Sequence, residues 1–547
     1  MSHKIGRFLS KSTFTKIFFV ILSLISFFFS LYQLNHQYDG LHHGIVFSIS
    51  QDFLNGKIPF KEFLPEYGIF FIYINAIFIK IFFNSIYGTY FLIALSKGLT
   101  FLFLGLILKN IFNNKVAISI TTIMFLAHPF VDTPFPDYIF FLLILVSFYI
   151  LIISKNNFLF FLSGFIYSLA SLNKENFILI LFFSILLFYV SICFLKFIRK
   201  KKIYNNFINI YWIIGYLTPL ILFFLYLNYN LVLAEYLDQF STGKIILETV
   251  CTSTTDLIFL KTLDCGWIAL KNLFYNSITK FFTEPYWLFF SIIIIANIYF
   301  IINVMFFEKK SFVDETKKLM IWVSLLSLLL FSTNLYYLTI QRLFTGVGIG
   351  IIVVVYLIQN LKSPITKYFL HCLFFVFLIN GMQFARTSNN PIYPTFVEKK
   401  HNYKEDIKFL KFKKMSDEEW LQLNDFVSIS NLVKKNCSFI NYSTNLTNDV
   451  YYRIILKENF ELLNFTPYDG KNKFTEKWSK KYDPLFDKNL KKEIFKNNIL
   501  IAIDDTNKLN KKLKNNSKLY LFKSIKYNNY GSKFINVYLP NKCKTLQ

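Results

Sequence analysis

The sequence predicts a mainly α-helical fold: a polytopic transmembrane bundle followed by a soluble domain of mixed α/β character. Three observations carry this. Of 547 residues, 54% are hydrophobic and 20% aromatic, with a mean hydropathy of +0.42. Soluble domains run at about 45–50% apolar. The apolar weight lies in long runs that stop near residue 382. Beyond them Lys and Asn abound, and four short β-branched and aromatic runs, 437–442, 498–505, 518–525 and 533–539, read as strands. The expected division is a membrane part, 1–382, and a C-terminal domain, 383–547, about the size of one folding unit.

The first apolar run is 17–34, close to the ~20 residues that a bilayer requires. A basic segment precedes it and no small-residue cleavage site follows, so it reads as an uncleaved span with its N-terminus inside. Residues 35–68 come next, a dense polar stretch holding Asp39, His42, His43, Asp52, Lys57, Lys61, Glu62 and Glu66. Within it, 45–60 patterns as a short amphipathic helix on the membrane surface. Ile45, Ile49, Phe53 and Leu54 line one side, Asn55-Gly56 closes it and Pro59 forbids its continuation.

The following runs are 69–83, short and interrupted by Lys80, then 89–111 with Lys97 inside, and 116–131. After the turn D-T-P-F-P-D come 138–153, 158–172, 177–196 and 208–228. A long, mostly polar loop spans 229–285, and further runs lie at 286–307, 319–338, 343–360 and 366–382. Placing Arg199–Lys202, 308–318 and 361–367 inside follows the positive-inside rule. Asp137, Lys174, Glu175, Arg342, the 229–285 loop and the C-terminal domain then fall outside. By parity, one of 69–83 and 89–111 does not cross. The shorter, 69–83, is the candidate for an interfacial or re-entrant helix, giving about eleven crossings.

The formal net charge of +26 reads as inside-facing loop lysines and a basic tail near anionic headgroups. No basic face accompanies a nucleic-acid-binding module, so nucleic acid is not an expected partner. Of six cysteines, Cys193 and Cys372 fall in apolar spans and read as core residues. Cys251 with Cys265, and Cys437 with Cys543, are candidate disulfides if their regions face an oxidising compartment. No cysteine or histidine cluster has zinc spacing, and no structural metal is expected. No internal repeat of the kind that marks transporters is evident.

Chemistry is expected where polar residues meet the bilayer. Asp39, just past the first span, is either a base at the membrane surface or the N-cap of the next helix. His42 and His43 either hydrogen-bond a sugar, hold a divalent cation with Asp39, or are polar residues of a helix start. Glu66 is a second carboxylate or a charge favoured by a helix dipole. Lys57, Lys61, Lys97, Lys174 and Arg342 either hold a lipid phosphate or snorkel to the interface. Lys97 and Lys174 are the sharper candidates because they interrupt apolar runs. Asp137, beside Pro136 at a span end, is either a second catalytic carboxylate or a cap.

The stretch Y-D-G-L-H-H-G followed by D-F-L-N-G-K-I-P-F-K-E-F-L-P-E-Y-G-I-F-F-I-Y-I-N-A resembles the first outer loop of GT-C superfamily glycosyltransferases. Protein O-mannosyltransferases and the aminoarabinose transferases acting on lipid A belong there. P-F-P-D-Y-I-F-F looks like that superfamily's second acidic motif and marks Asp137. G-F-I-Y-S-L-A-S-L-N-K-E-N is similar to its segment ending in lysine and marks Lys174, with Glu175 beside it. The resemblance covers roughly the first 230 residues, in order and spacing. Two departures are plain: Gly40 follows Asp39 where an acidic pair is usual, and Pro65-Glu66-Tyr67-Gly68 replaces a proline pair.

The resemblance implies a GT-C bundle in a plasma (inner) membrane, with its site and C-terminal domain outside the cytoplasm. It implies a polyprenyl-phosphate-linked sugar donor, a glycan, lipid or protein acceptor, inversion at the anomeric carbon, and Asp39 as catalytic base.

Overall fold

The computed structural model describes residues 11–36, 42–63, 65, 67–127, 135–199, 208–237, 258–280, 286–307, 314–332 and 340–361. Of the C-terminal part it describes 401–402, 414–415, 442–445, 461–462, 488, 491, 499–503, 511, 513–526 and 534–541. The chain is mostly helical with a small C-terminal sheet. Five helices are long and apolar enough to cross a membrane: Thr13–Asn35, Tyr87–Ile111, Phe177–Ile198, Ile210–Tyr229 and Trp287–Phe307. The apolar runs 17–34, 89–111, 138–153, 158–172, 177–196, 208–228 and 286–307 all fold as helices near their expected limits. The run 366–382 lies outside the described residues.

Helix α1 (Lys11–His36) and α4 (Tyr87–Ile111) pack along their length. Gly98 lies against the backbone of Ser23 and Phe27, and Gly105 against the ring of Phe19. Later residues of α4 thus meet earlier residues of α1, so the two run antiparallel. The end of α1 and the start of α4 share one end of the bundle. The chain between them, α2 (His42–Leu54) and α3 (Ile69–Ile81), makes no net crossing. α3 has 13 residues, about 20 Å, too few for the ~30 Å hydrocarbon layer. This is the arrangement that parity and Lys80 require.

α2 departs from expectation. It stops at Leu54, where Gly56 turns the chain at φ +79°. It does not present a wet face, because His43 through Gln51 and Asp52 are all buried. The apolar positions Ile45 and Ile49 are inside as predicted, but so are Ser48, Ser50, Gln51 and Asp52. Packing on several sides, rather than a single apolar stripe, governs this helix.

α5 (Asn114–Ala127), α6 (Asp137–Ile153), α7 (Asn157–Ser171), α8 (Glu175–Arg199) and α9 (Ile210–Tyr229) follow. Asn156 and Asn209 cap α7 and α9 by accepting from Leu159 N and Trp212 N. α7 and α9 approach so closely that Gly164 abuts the backbone of Trp212 and Tyr216, and Gly215 that of Phe161. Small residues permit such contact inside a bilayer, where dispersion rather than water exclusion binds helices. Beside them Trp212, Trp322, Tyr167 and Phe148 interlock. Their polar edges converge on serines. Tyr167 donates to Ser184 Oγ (2.7 Å), which donates to Leu181 O, while Trp212 Nε1 donates to Ser163 Oγ (3.1 Å).

The expected loop 229–285 holds a 22-residue helix, α10 (Ile258–Thr279), tied to α11 (Tyr286–Ile302) by Ser277 and Ser291. α11 passes into a π-helical turn, Asn303–Phe307. α12 is Glu315–Phe331. The single span expected over 343–360 is instead broken into α13 (Ile340–Thr345), a 3-10 turn (Val347–Gly350) and α14 (Ile351–Gln359). Side chains satisfy the freed carbonyls: Ser327 Oγ donates to Val347 O and Asn297 Nδ2 to Gly350 O. Cys193, expected in the core, is exposed on α8. The candidate disulfide partners Cys251, Cys437 and Cys543, and the side chain of Cys265, lie outside the described residues.

The C-terminal part contains short β1 (His401–Asn402) and β2 (Lys414–Met415), and a five-stranded mixed sheet. Its strands are β3 (Tyr442–Asn445), β4 (Glu461–Leu462), β5 (Ile499–Ile503), β6 (Leu519–Lys526) and β7 (Phe534–Pro540), in the order β4-β3-β5-β7-β6. β3 pairs parallel to β4 and β5, while β7 runs antiparallel to β5 and β6. Three of the four strands expected here fall where the β-branched runs are. The fourth, expected over 437–442, is described only from Tyr442 onward.

Candidate functional site

Four pieces of chain meet at the end of the bundle where α1 stops and α4 starts. The first is the turn at 55–63. Lys57 Nζ pairs with Asp52 (3.1 Å), Ile58 N donates to Glu62 (2.6 Å), and Phe60 N donates to Phe63 O (2.9 Å). Phe60 sits at φ 69° and turns its ring edge to Tyr236. Lys61 is exposed on this turn.

The second piece is Gly68, at the N-terminus of α3. It crosses the α7–α8 connection, backbone on backbone. Gly68 N donates to Asn173 O (2.9 Å) and Phe70 N to Leu172 O (3.1 Å). A β-carbon on Gly68 would fall on the Leu172 carbonyl and the Asn173–Lys174 peptide. The absence of a side chain is what lets α3 clasp this connection.

The third piece is that connection itself. Lys174, partly buried, reaches to 3.9 Å from Asp137 Oδ1 and lies 5.7 Å from the Phe177 ring centre. Asp137 is buried (3% exposed) in the first turn of α6; Pro136 holds the capping position and has no side-chain cap. So Asp137 is not the cap that its position beside Pro136 suggests. Its charge still suits the helix dipole there.

The fourth is Lys97, 1% exposed near the middle of α4, with Nζ 4.3 Å from the centre of the Tyr138 ring. Ten residues of α4 precede Lys97, so it lies about 15 Å along that helix. Tyr138 is only the second residue of α6. The starts of α6 and α8 therefore form a floor recessed below the ends of α1 and α4. Lys97, Asp137 and Lys174 lie at that floor, and α3 rises from it to the start of α4, where Gly88 abuts Phe78 and Ile79.

His43 is buried, its Nδ1 sharing a 2.9 Å hydrogen bond with Tyr90 OH of α4. That nitrogen is committed to Tyr90 rather than to a metal or a sugar. Among the described residues no group of three His, Cys, Asp or Glu could hold a metal ion. Asp39, Glu66 and the side chains of His42 and Glu175 lie outside the described residues, and the cation site imagined for Asp39, His42 and His43 lies there with them. Arg342 is half-buried on α13. Phe344 of that helix packs on Phe101 and Phe141, each one turn beyond Lys97 or Asp137.

The structure thus brings Asp137, Lys174 and Lys97 to one floor, places the Arg342 helix beside it and leaves Lys61 on the rim. Tyr138, Tyr90, Gly68 and Asn173 were not singled out from the sequence. Tyr138 adjoins a marked aspartate and Asn173 a marked lysine, which is the signal that was there to use.

No family model matches the chain, and no curated protein sequence does. Solved structures do. Two are of ArnT from Cupriavidus metallidurans. The form bound to undecaprenyl phosphate is 11% identical, covers 95% of this chain and 97% of that one, and gives a TM-score of 0.47. The apo form is 9% identical, covers 98% and 99%, and scores 0.45. The Archaeoglobus fulgidus oligosaccharyltransferase, tethered to an acceptor peptide, is 10% identical over 90% of this chain and 69% of that one, at 0.42.

Proposed function

We propose that this chain is a membrane glycosyltransferase of the GT-C type, moving a sugar from a polyprenyl-phosphate-linked donor to a glycan, lipid or protein acceptor. The observation that carries the reading is the recessed floor, where buried Lys97 sits over the Tyr138 ring and partly buried Lys174 pairs with the neighbouring Asp137. Buried cations inside a bilayer protein are costly and mark a site for an anion. A lipid phosphate is the anion that arrives there from the membrane itself. Lys97, Lys174 and Arg342 hold the donor phosphate, Asp137 orients Lys174, and Asp39 takes the acceptor's proton as the glycosyl–phosphate bond breaks. Lys61 lies on the rim, and Glu66, His42 and Glu175 are assigned to the sugar. His43 acts through Tyr90 to fix the start of α2.

Loss of the gene is expected to remove one sugar from the cell's surface glycans, read by composition analysis. Loss of whole glycan chains would favour transport of a lipid-linked glycan instead. Lys97→Met keeps the length and apolar stem of the side chain and removes the charge. It is expected to raise the donor concentration needed for half-maximal rate by about 10–100-fold. A donor titration with reconstituted protein measures this, and an unchanged half-saturation point would remove Lys97 from the phosphate site.

A further inference from the structure

We propose that one face of α2 is a sugar-binding surface that reads carbohydrate hydroxyls beside the site. This rests on the function proposed above. The helix is buried on opposite sides, and one of them is accounted for. His43 meets Tyr90, and Ser50 Oγ accepts from Asn75 Nδ2 (2.7 Å), both facing α3 and α4.

The opposite side carries Ser48, Gln51 and Asp52, at the i, i+3, i+4 spacing that shares one helix face. All three are buried, at 5%, 6% and 5% exposure. Ser48 Oγ and Gln51 Nε2 have no hydrogen-bond partner among the described residues. Buried polar atoms without partners are costly, and two of them on one helix face beside an ion pair call for an explanation. Asp52 is held in place by Lys57 at 3.1 Å.

A hydroxyl, an amide donor and a carboxylate–ammonium pair within one helical turn form a set for a ligand that both donates and accepts. A bare phosphate only accepts, and a polyprenyl chain does neither. Vicinal sugar hydroxyls do both. Through Lys57, Asp52 ties this face to the 55–63 turn of the site.

The test uses full-length protein in lipid nanodiscs and the double variant Ser48→Ala/Gln51→Leu, with Ser48→Ala alone as a milder second variant. Both remove buried unpaired atoms, so the unfolding temperature is expected to hold. The probes are farnesyl phosphate, farnesyl phosphates carrying a pentose or a hexose, and methyl glycosides added after loading with farnesyl phosphate.

The native protein is expected to bind one sugar-bearing lipid at least about tenfold more tightly than farnesyl phosphate. The double variant is expected to lose that margin while keeping its affinity for farnesyl phosphate. Loss seen only with methyl glycosides supports the same surface acting on the acceptor's sugar. An undiminished margin in the double variant overturns the proposal, leaves the glycosyltransferase reading standing, and marks the face as a place for water. Failure of the native protein to bind any of the lipid phosphates overturns both readings.

Discussion

Asp39→Asn is expected to slow sugar transfer by about 10²–10⁴-fold while leaving the amount of protein in the membrane unchanged. The amide keeps the shape of the carboxylate and loses only the ability to take a proton. In the proposed function donor binding rests on Lys97 and Lys174, so the half-saturating donor concentration is expected to stay the same and the loss to fall on kcat. Asp137→Asn makes the natural contrast. It weakens the hold on Lys174, and its effect is expected chiefly on donor saturation. Steady-state rates with a reconstituted donor separate the two. If Asp137→Asn abolished kcat and Asp39→Asn did not, the base would be Asp137.

Gly68→Val is expected to cost about 3 kcal/mol of stability and to lower the rate about a hundredfold, although Gly68 carries no chemistry. Any β-carbon there meets main-chain atoms of Leu172, Asn173 and Lys174, and main chain cannot rotate out of the way. The α7–α8 connection must shift, carrying Lys174 away from Asp137. Gly56→Ala is the control. Gly56 needs a left-handed conformation, but nothing lies within 4 Å of the added carbon. Its cost is backbone strain of about 1–2 kcal/mol, without displacement of Lys174. Thermal unfolding and transfer rate, measured together on both variants, check the distinction. Equal losses of rate from Gly56→Ala and Gly68→Val would show that the clasp on Lys174 is immaterial.

Much of this fold is legible because hydropathy along a chain reports membrane helices directly. The helices at 69–81 and 87–111 were recognisable as a short and a span-length helix from the apolar run lengths and from Lys80. Two elements escaped for the same physical reason: which of their residues tertiary packing buries cannot be read from local pattern. In α2 the Ile45–Ile49 spacing implied a wet opposite face, yet that face is buried. In α10, Lys261, Asp264, Lys271 and Asn272 dilute the apolar signal of a helix that packs through Ala269, Leu273 and Ser277. The break at Gly346–Gly350 was written in three glycines within five residues. At the site, charges inside apolar runs pointed to Lys97 and Lys174. Their mutual arrangement was not readable, because Gly68 and Tyr138 position them from elements distant in sequence.

The depth of Lys97 bears on how the protein is made. A lysine near the centre of an inserting helix costs about 2.5–3.5 kcal/mol at the translocon. The apolar residues that flank it across Tyr87–Ile111 must outweigh that cost on their own. The aromatic ring over which its ammonium comes to rest belongs to α6, which is synthesised later. For that interval the nascent chain holds α4 beside α1 with the lysine not yet seated on Tyr138. The charge proposed to meet an anionic lipid is thus carried first as a burden on membrane assembly, eased as α6 arrives.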